Sequence, residues 1–175
     1  MALKQIDQLT VVKGCTVYCA PGGIPEEFPV TIDAEVTLPS IEHPTATIQA
    51  MGDTDVVDQT RVNSMTTQIS CETGVLSAKL FGYGVQNYVV RFAQEMKEAS
   101  GNFRLVPFVA YISGTVQSDG GDQLTPGNNT TKQVTINTLK YRLLCDGNEI
   151  KYIDKLAGIL RINGKDYREE LNSML

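Results

Sequence analysis

The sequence predicts a mainly β protein: a β-sandwich or rolled antiparallel sheet carrying one packed α-helix. Three observations predict it. Asp146-Gly147 and Asn163-Gly164 stand about twenty residues apart between strand-like runs, and such dipeptides accept the positive φ that both centres of a type I′ hairpin turn require. Residues 30–38, VTIDAEVTL, alternate apolar and polar side chains, the period of a half-buried strand. Only one stretch shows a helical period. At 175 residues the chain fits a single domain, able to bury roughly 70% of its unfolded surface without staples.

Taken in order, TVVKGCTVYC (10–19) is β-branched and aromatic and reads as a strand; the proline- and glycine-rich 21–29 reads as a loop. In 30–38, Val30, Ile32, Ala34, Val36 and Leu38 share one face of a strand that Pro39 ends. Residues 39–59 are polar and turn-rich with a short strand-like piece at 45–50, and 60–71 form a polar strand with few large apolar positions. Residues 75–83 fit strand or helix. In VQNYVVRFAQEMKEASG, Val85, Tyr88, Val89, Phe92 and Met96 recur at spacings of three and four, which predicts a helix at about 85–99 with these five as its core stripe, stopped at Gly101.

Beyond it, FRLVPFVAYISGTVQ (103–117) reads as an edge or bulged strand, because Pro107 lacks an N–H. Residues 118–130 are loop-like. TKQVTINTLKYRLLC (131–145) is a long strand whose apolar face switches between Ile136 and Leu139, which predicts a bulge near Asn137. The two turns then fold 131–167 into a meander, for a tally of about seven strands and one helix.

The formal charge of −5, with lysines and arginines scattered, argues against wrapping nucleic acid, which needs a basic surface. The N-terminal MALKQIDQLTVV has no long apolar run, and no stretch approaches the ~20 apolar residues of a membrane span, so synthesis in the cytosol and no stable membrane association are expected. Four cysteines then read as free thiols. Cys15 and Cys19 would lie ~13 Å apart on a strand, too far to bridge. The sequons at Asn128 and Asn129 carry no weight without secretion.

Catalytic signals are thin. The single histidine, His43, could serve a small hydrolase only with a cysteine or serine brought from elsewhere; a solvated loop histidine is the simpler reading. There is no CxxC, HExxH or phosphate-loop motif, and Gly82-Tyr83-Gly84 lacks the third glycine of a dinucleotide turn. Asp53, Asp55 and Asp58 alternate as calcium ligands do, but the glycine and glutamate of a calcium loop are missing, which favours a solvated or interface-forming acidic loop. No cofactor is expected. A β-sandwich module binding carbohydrate or peptide is a second reading; it would need an exposed aromatic cluster, whereas aromatics are 7% of the chain and tryptophan is absent. The polar run 60–71 would be a poorly specified strand in a monomer and makes sense with one face toward water and its edges paired in an assembly.

The segment TLKYRLLCDGNEIKYIDKLAGILRINGKDYREELNSML resembles the C-terminal part of major tail tube proteins of contractile-tailed bacteriophages and R-type bacteriocins (tailocins). The resemblance rests on Tyr141-Arg142-Leu143, Asp146-Gly147, Ile153-Asp154 and Asn163-Gly164-Lys165-Asp166, with the closing Asn172 to Leu175. Upstream, Val36-Thr37-Leu38-Pro39 and Ala50-Met51-Gly52 are similar to the same family's strand and loop. The resemblance implies a structural subunit and no enzyme: homohexameric rings stacked into a hollow tube inside a sheath, with sheets joining into an intersubunit β-barrel. It further implies a tail sheath protein, tape measure protein, baseplate tube-initiator and tail terminator as partners, a virion or bacteriocin particle assembled in the host cytoplasm, and DNA only in transit. An acidic lumen would repel passing DNA.

On that footing, residues 1–175 form one tail tube domain with an arm projecting at about 40–59. Ile48, Met51, Gly52, Asp53, Asp55, Val56, Val57 and Asp58 are candidates for contacts between rings or subunits, the arm being mobile in the free subunit and ordering against a neighbouring ring. Thr66, Gln68, Thr135 and Asn137 are candidates to face the lumen.

Overall fold

The structure, a computed structural model, describes residues 8–20, 28–49, 52–72, 82–121, 125–128 and 130–175. Among these, twelve strand segments and one short helix follow one another. They are β1 (Gln8–Ala20), β2 (Phe28–Ile32), β3 (Glu35–Thr37), β4 (Thr45–Gln49), β5 (Asp53–Val57), β6 (Met65–Glu72), β7 (Val85–Lys97), β8 (Phe103–Asp119), β9 (Thr131–Cys145), β10 (Asn148–Asp154), β11 (Ile159–Ile162), β12 (Lys165–Asp166) and α1 (Glu169–Met174). Ten strands make one antiparallel sheet in the order β12-β11-β10-β9-β8-β7-β1-β2, with β6 also on β9 and β3 on β6.

The long strand β9 organises the sheet. Its first half, Thr131–Thr138, pairs β6, and its second half, Lys140–Cys145, pairs β10. The fork lies at Leu139. On the β8 side, Thr138 opposes Gly114 and Lys140 opposes Ser113, so Leu139 is the extra residue. The bulge foreseen near Asn137 is therefore present two residues further on. Burial changes phase across it: Lys132, Val134, Ile136 and Thr138 are buried before it, and Tyr141 after it. The Leu139 carbonyl accepts the Lys155 N–H at 3.1 Å. Opposite the bulge the backbones close in, and a Cβ at Gly114 would sit 2.2 Å from the Asn137 carbonyl oxygen. Glycine is required there.

β2 pairs β1, and β3, reached through Asp33-Ala34, pairs β6. The pairings thus run round from β1 through β7, β8, β9 and β6 back to the segment 28–37, a rolled sheet. Inside it lie Val17, Cys19, Met65, Ile69, Tyr88, Val90, Ala110, Ile112, Ile136, Tyr141, Ile153 and Leu160, all buried. The meander ends as foreseen: Asp146 and Gly147 take φ of 49° and 78°, Asn163 and Gly164 φ of 50° and 81°, the positive values of type I′ turns.

Three expectations are corrected. There is no helix at 85–99; that segment is β7, between β1 and β8. Tyr88, Phe92 and Met96 are an even number of residues apart, so they satisfy a strand's period as well as a helix's. The run Tyr88-Val89-Val90 favours the strand. Tyr88 and Val90 enter the core, Phe92 and Met96 are half-buried, and Phe92 stacks on its cross-strand neighbour Phe108 at 5.0 Å. Val89 is buried from the opposite face, and Val85 is exposed. The helix among the described residues is instead the short α1 near the C-terminus, which fully buries no side chain but is tied to the sheet where Asn172 Nδ2 donates to the Gly158 carbonyl at 3.0 Å.

The strand expected at 30–38 is broken. Asp33 has φ 56°, the left-handed region that Asp tolerates better than most residues. There the chain leaves β1 for β6, and the Ala34 N–H donates to the Cys15 carbonyl at 3.0 Å. Third, Pro107 lies in a central strand rather than at an edge; the bulged alternative holds, since β8 carries an extra residue between Val116 and Ser118 opposite Ile136 and Thr135. Its carbonyl accepts the Asp146 N–H at 2.9 Å. A residue's N and C=O point to the same side of a strand, so the missing donor faces the turn that ends β9, just past the last rung at Phe108 and Cys145. Most of the 75–83 stretch, like the loop at 21–27, lies outside the described residues.

Candidate assembly surfaces

The four residues expected to face a lumen come together. Thr66 opposes Asn137 and Gln68 opposes Thr135 across the β6–β9 ladder. Cross-strand partners share a face, and Thr66 and Gln68 are exposed while Thr135 and Asn137 are half-exposed. The same face carries Ser70 opposite Gln133, Glu72 opposite Thr131, and Glu35 and Thr37 on β3. The sequence reading missed these six, although the period of two that identified the first four extends to them. Gln133 Nε2 lies 3.5 Å from Gln68 Oε1. Hydroxyls, amides and two carboxylates make up this face, with no lysine or arginine on β3, β6 or the first half of β9 pointing that way.

The reverse face explains how so polar a strand stays in register. Met65, Thr67, Ile69 and Cys71 are buried against Val134, Ile136 and Thr138. The two buried threonines share a hydrogen bond of 2.7 Å, so neither hydroxyl is left unsatisfied in the core.

The arm is regular rather than a loop. β4 and β5 form a separate two-stranded sheet, with Thr45 opposite Val57 and Gln49 opposite Asp53. Every residue of both strands is exposed. Ala46, Ile48, Thr54 and Val56 lie on one face by register; Thr45, Thr47, Gln49, Asp53, Asp55 and Val57 lie on the other. Thr47 Oγ1 donates to Asp55 Oδ1 at 2.7 Å. Gly52 is exposed at the tip, and Met51 lies outside the described residues.

The base of the arm is clamped. Leu38, Ile41 and Val62 pack on the core. The Asp58 N–H donates to the Pro44 carbonyl at 2.9 Å, the Asn63 N–H to the Glu42 carbonyl at 2.8 Å, and Lys155 Nζ to the Asn63 carbonyl at 2.9 Å. Asp58 belongs to this clamp, not to the projecting face: its Oδ1 accepts the Thr60 hydroxyl at 2.6 Å and the Thr60 N–H at 2.9 Å. Those bonds hold its carboxyl below the usual range, with Arg61 adding to the effect.

His43 is part of the same clamp, its Nδ1 lying 2.7 Å from the Arg61 carbonyl oxygen. The four cysteines form no disulfide, and burial pushes the Cys19 thiol up to about 11 and raises Cys15 and Cys145, the opposite of what a nucleophilic thiolate needs. Among the described residues no cluster of histidine, cysteine, aspartate or glutamate could hold a metal, and no helix is long and apolar enough to cross a membrane.

The family model for phage tail tube protein FII matches residues 29–175. The chain belongs to this family. It is a structural tail tube protein of the contractile-tail type, a particle component and not an enzyme. The match spans the arm, the β6–β9 face and the meander. No curated protein matches the chain. Among solved structures, the tube protein's fold is similar to a chain of the sheath/tube terminator of an extracellular contractile injection system, PVC, in its extended state. That chain has a TM-score of 0.52 and 11% identity, over 77% of this chain and 96% of that one. A chain of the PVC sheath-tube complex (TM-score 0.47, 10% identity, 74% and 87% covered) and one of the anti-feeding prophage baseplate (0.41, 12%, 77% and 95%) are also similar.

Proposed function

We propose that six copies form a ring and that rings stack into a hollow tube, with the Thr/Gln/Ser/Asn face of β3, β6 and β9 turned to the lumen. The observation that carries this is that face: a polar, cation-free surface on a strand pair whose other side is core. Water can fill a channel so lined, and nucleic acid finds no basic side chain on it to hold its phosphates. The same conduit serves passage of DNA in a phage or perforation by a bacteriocin particle.

The hairpin β4–β5 is the contact between rings. A two-stranded hairpin alone is marginal in water, and this one exposes Ile48 and Val56 on one face. Docking on a neighbour would cover them. Asp53, Asp55 and Val57 lie on the hairpin's other face. Ordering costs roughly 1–2 kcal/mol per residue, which the buried neighbour surface must offset, so lone subunits stay soluble until a ring offers the seat. Sheath, baseplate initiator, terminator and tape measure proteins complete the particle around this tube in the assembling cell.

Negative-stain microscopy of the purified chain tests the reading: tubes with a stain-filled channel are expected, and compact particles that never polymerise would overturn it. In tubes of a Gln68→Cys variant, a small thiol reagent should label the introduced cysteine and a bulky one should not. Equal labelling by both would remove this face from the lumen.

A further inference from the structure

A hollow of about 250 Å³ opens where three parts of the chain meet: the arm's root at 60–62, the turn between β10 and β11, and the residue before α1. Arg61, Lys155 and Arg168 line it, together with apolar Val62, Ile159 and Leu160. Among the described residues Asp154 is the one carboxylate in the lining, and it is already engaged. Its Oδ2 lies 3.3 Å from Lys140 Nζ, and its Oδ1 accepts the Leu156 and Ala157 N–H groups at 3.1 and 3.0 Å.

Of the three cations, Arg168 is the least matched. Its guanidinium lies over Gly158, 3.5–3.7 Å from where a Cβ would stand. Its Nε is sealed from solvent and has no acceptor, and among the described residues no carboxylate forms an ion pair with it. Asp166 Oδ1 is engaged by the Arg168 backbone N–H at 2.9 Å. Arg61 holds Asp58 at 3.5 Å with its side chain 75% exposed, and Lys155 Nζ donates one of its three hydrogens to the Asn63 carbonyl. A guanidinium drawn partly out of water without a counter-ion is costly, and a carboxylate is the partner that its planar fork fits.

We propose that this hollow is the seat for the acidic face of a second copy's β4–β5 hairpin, with Asp53 as the carboxylate that meets Arg168. Asp53 and Asp55 share one face by register, and no lysine or arginine occurs between Ser40 and Thr60, so the ribbon carries its carboxylates without a cation of its own. On the body of the sheet, by contrast, Glu95, Glu98, Asp119 and Glu149 are each paired with a lysine or arginine of the same chain. Asp55 is held by the Thr47 hydroxyl, which leaves Asp53, beside the tip, for the guanidinium. The seat is not on its own chain: the hollow borders the root of the hairpin, and Asp53 stands at the far end of a five-residue strand, ~17 Å off at ~3.3 Å per residue. Because tip and root are different patches, the contact is head-to-tail, the kind that builds rings or filaments rather than twofold dimers. The inference rests on the hairpin being the contact between rings and names what receives its acidic face.

Charge exchange tests it. Arg168→Glu and Asp53→Arg subunits should each need about tenfold more protein to form tubes, read by sedimentation and microscopy, as befits the loss of a close charge pair. The chain carrying both substitutions, in which every such contact again joins opposite charges, should recover most of that loss. Unfolding midpoints of the free subunits are measured alongside. Where Arg168→Glu lowers the midpoint, Arg61→Glu, at a largely exposed side chain, takes its place and should be rescued by Asp53→Arg in the same way. Single variants that polymerise like the native chain, or a double variant that recovers nothing, overturn the docking and leave the stacked tube standing. Failure of the native chain to form tubes overturns both together.

Discussion

The pair β6–β9 and the hairpin β4–β5 are both antiparallel ladders of threonine-rich sequence, and each turns a polar face to water. They differ in what lies behind them. Behind β6–β9 are Met65, Ile69, Val134 and Ile136, fully buried, and the Thr67–Thr138 hydrogen bond. Neither face of β4–β5 is buried: all ten strand residues are exposed. Strand pairing alone sets local geometry; burial of one face fixes register and contributes stability, at roughly 25 cal/mol per Å² of apolar surface. A ladder without a buried face, attached through a clamped base, is suited to take its second face from another subunit.

The comparison breaks first at the core. Ile136→Ala removes a fully buried side chain between β6 and β8 and is expected to cost about 2–5 kcal/mol, read as a lower denaturation midpoint of the free subunit; an unchanged midpoint would mean the β6–β9 pair is not the foundation described. Gly114→Ala comes next. Its Cβ would meet the Asn137 carbonyl at 2.2 Å, so β8 must move off β9 beside the bulge, at a cost of about 1–3 kcal/mol. Native-like stability of this variant would contradict the close approach.

The buried threonine pair sharpens the contrast. Thr138→Val takes the Thr67 hydroxyl's partner away in the core and should cost about 1–3 kcal/mol; Thr67→Val should cost less, because the Thr138 hydroxyl also reaches the Ile136 carbonyl at 3.5 Å, and the double variant should recover most of the larger loss. Additive losses in the double-mutant cycle would show that the two hydroxyls do not depend on each other.

A smaller effect follows from acid. Burial raises the Asp154 carboxyl, but the Ala157 N–H, Lys140 and the Leu156 N–H outweigh it and hold it below the usual range. Its contribution is therefore present above the unfolded carboxylate range and is lost as pH falls through the lower folded value. Asp154→Asn should flatten the acid limb of the stability curve slightly; an unaltered limb would remove Asp154 from the account.

How much was legible varied with how far local pattern determines contact. The two type I′ turns, the bulge beside Leu139 and the meander could be read because turn dipeptides and a change of phase are local signals. The stripe Val85, Tyr88, Val89, Phe92 and Met96 misled because three of its members fit both periods; Val90, buried and off the helical stripe, was the residue that distinguished them. Pro107 suggested an edge, since sequence does not show which rung ends where. The four lumen candidates were found by alternation alone, and their being neighbours on one face depends on β6 and β9 pairing across more than sixty residues of chain. The hollow lined by Arg61, Lys155 and Arg168 escaped notice because these residues are scattered along the chain and meet only once the arm's root, the turn after β10 and the start of α1 are brought together.

Hydrogen exchange followed by mass spectrometry, on free subunits and on assembled tubes, addresses the comparison directly. In the free subunit, amides of 45–57 should exchange fast while those of 132–144 stay protected. On assembly the hairpin should become protected and the β9 amides should change little. A hairpin that exchanges equally fast in both states would contradict the claim that its missing face is supplied by another subunit.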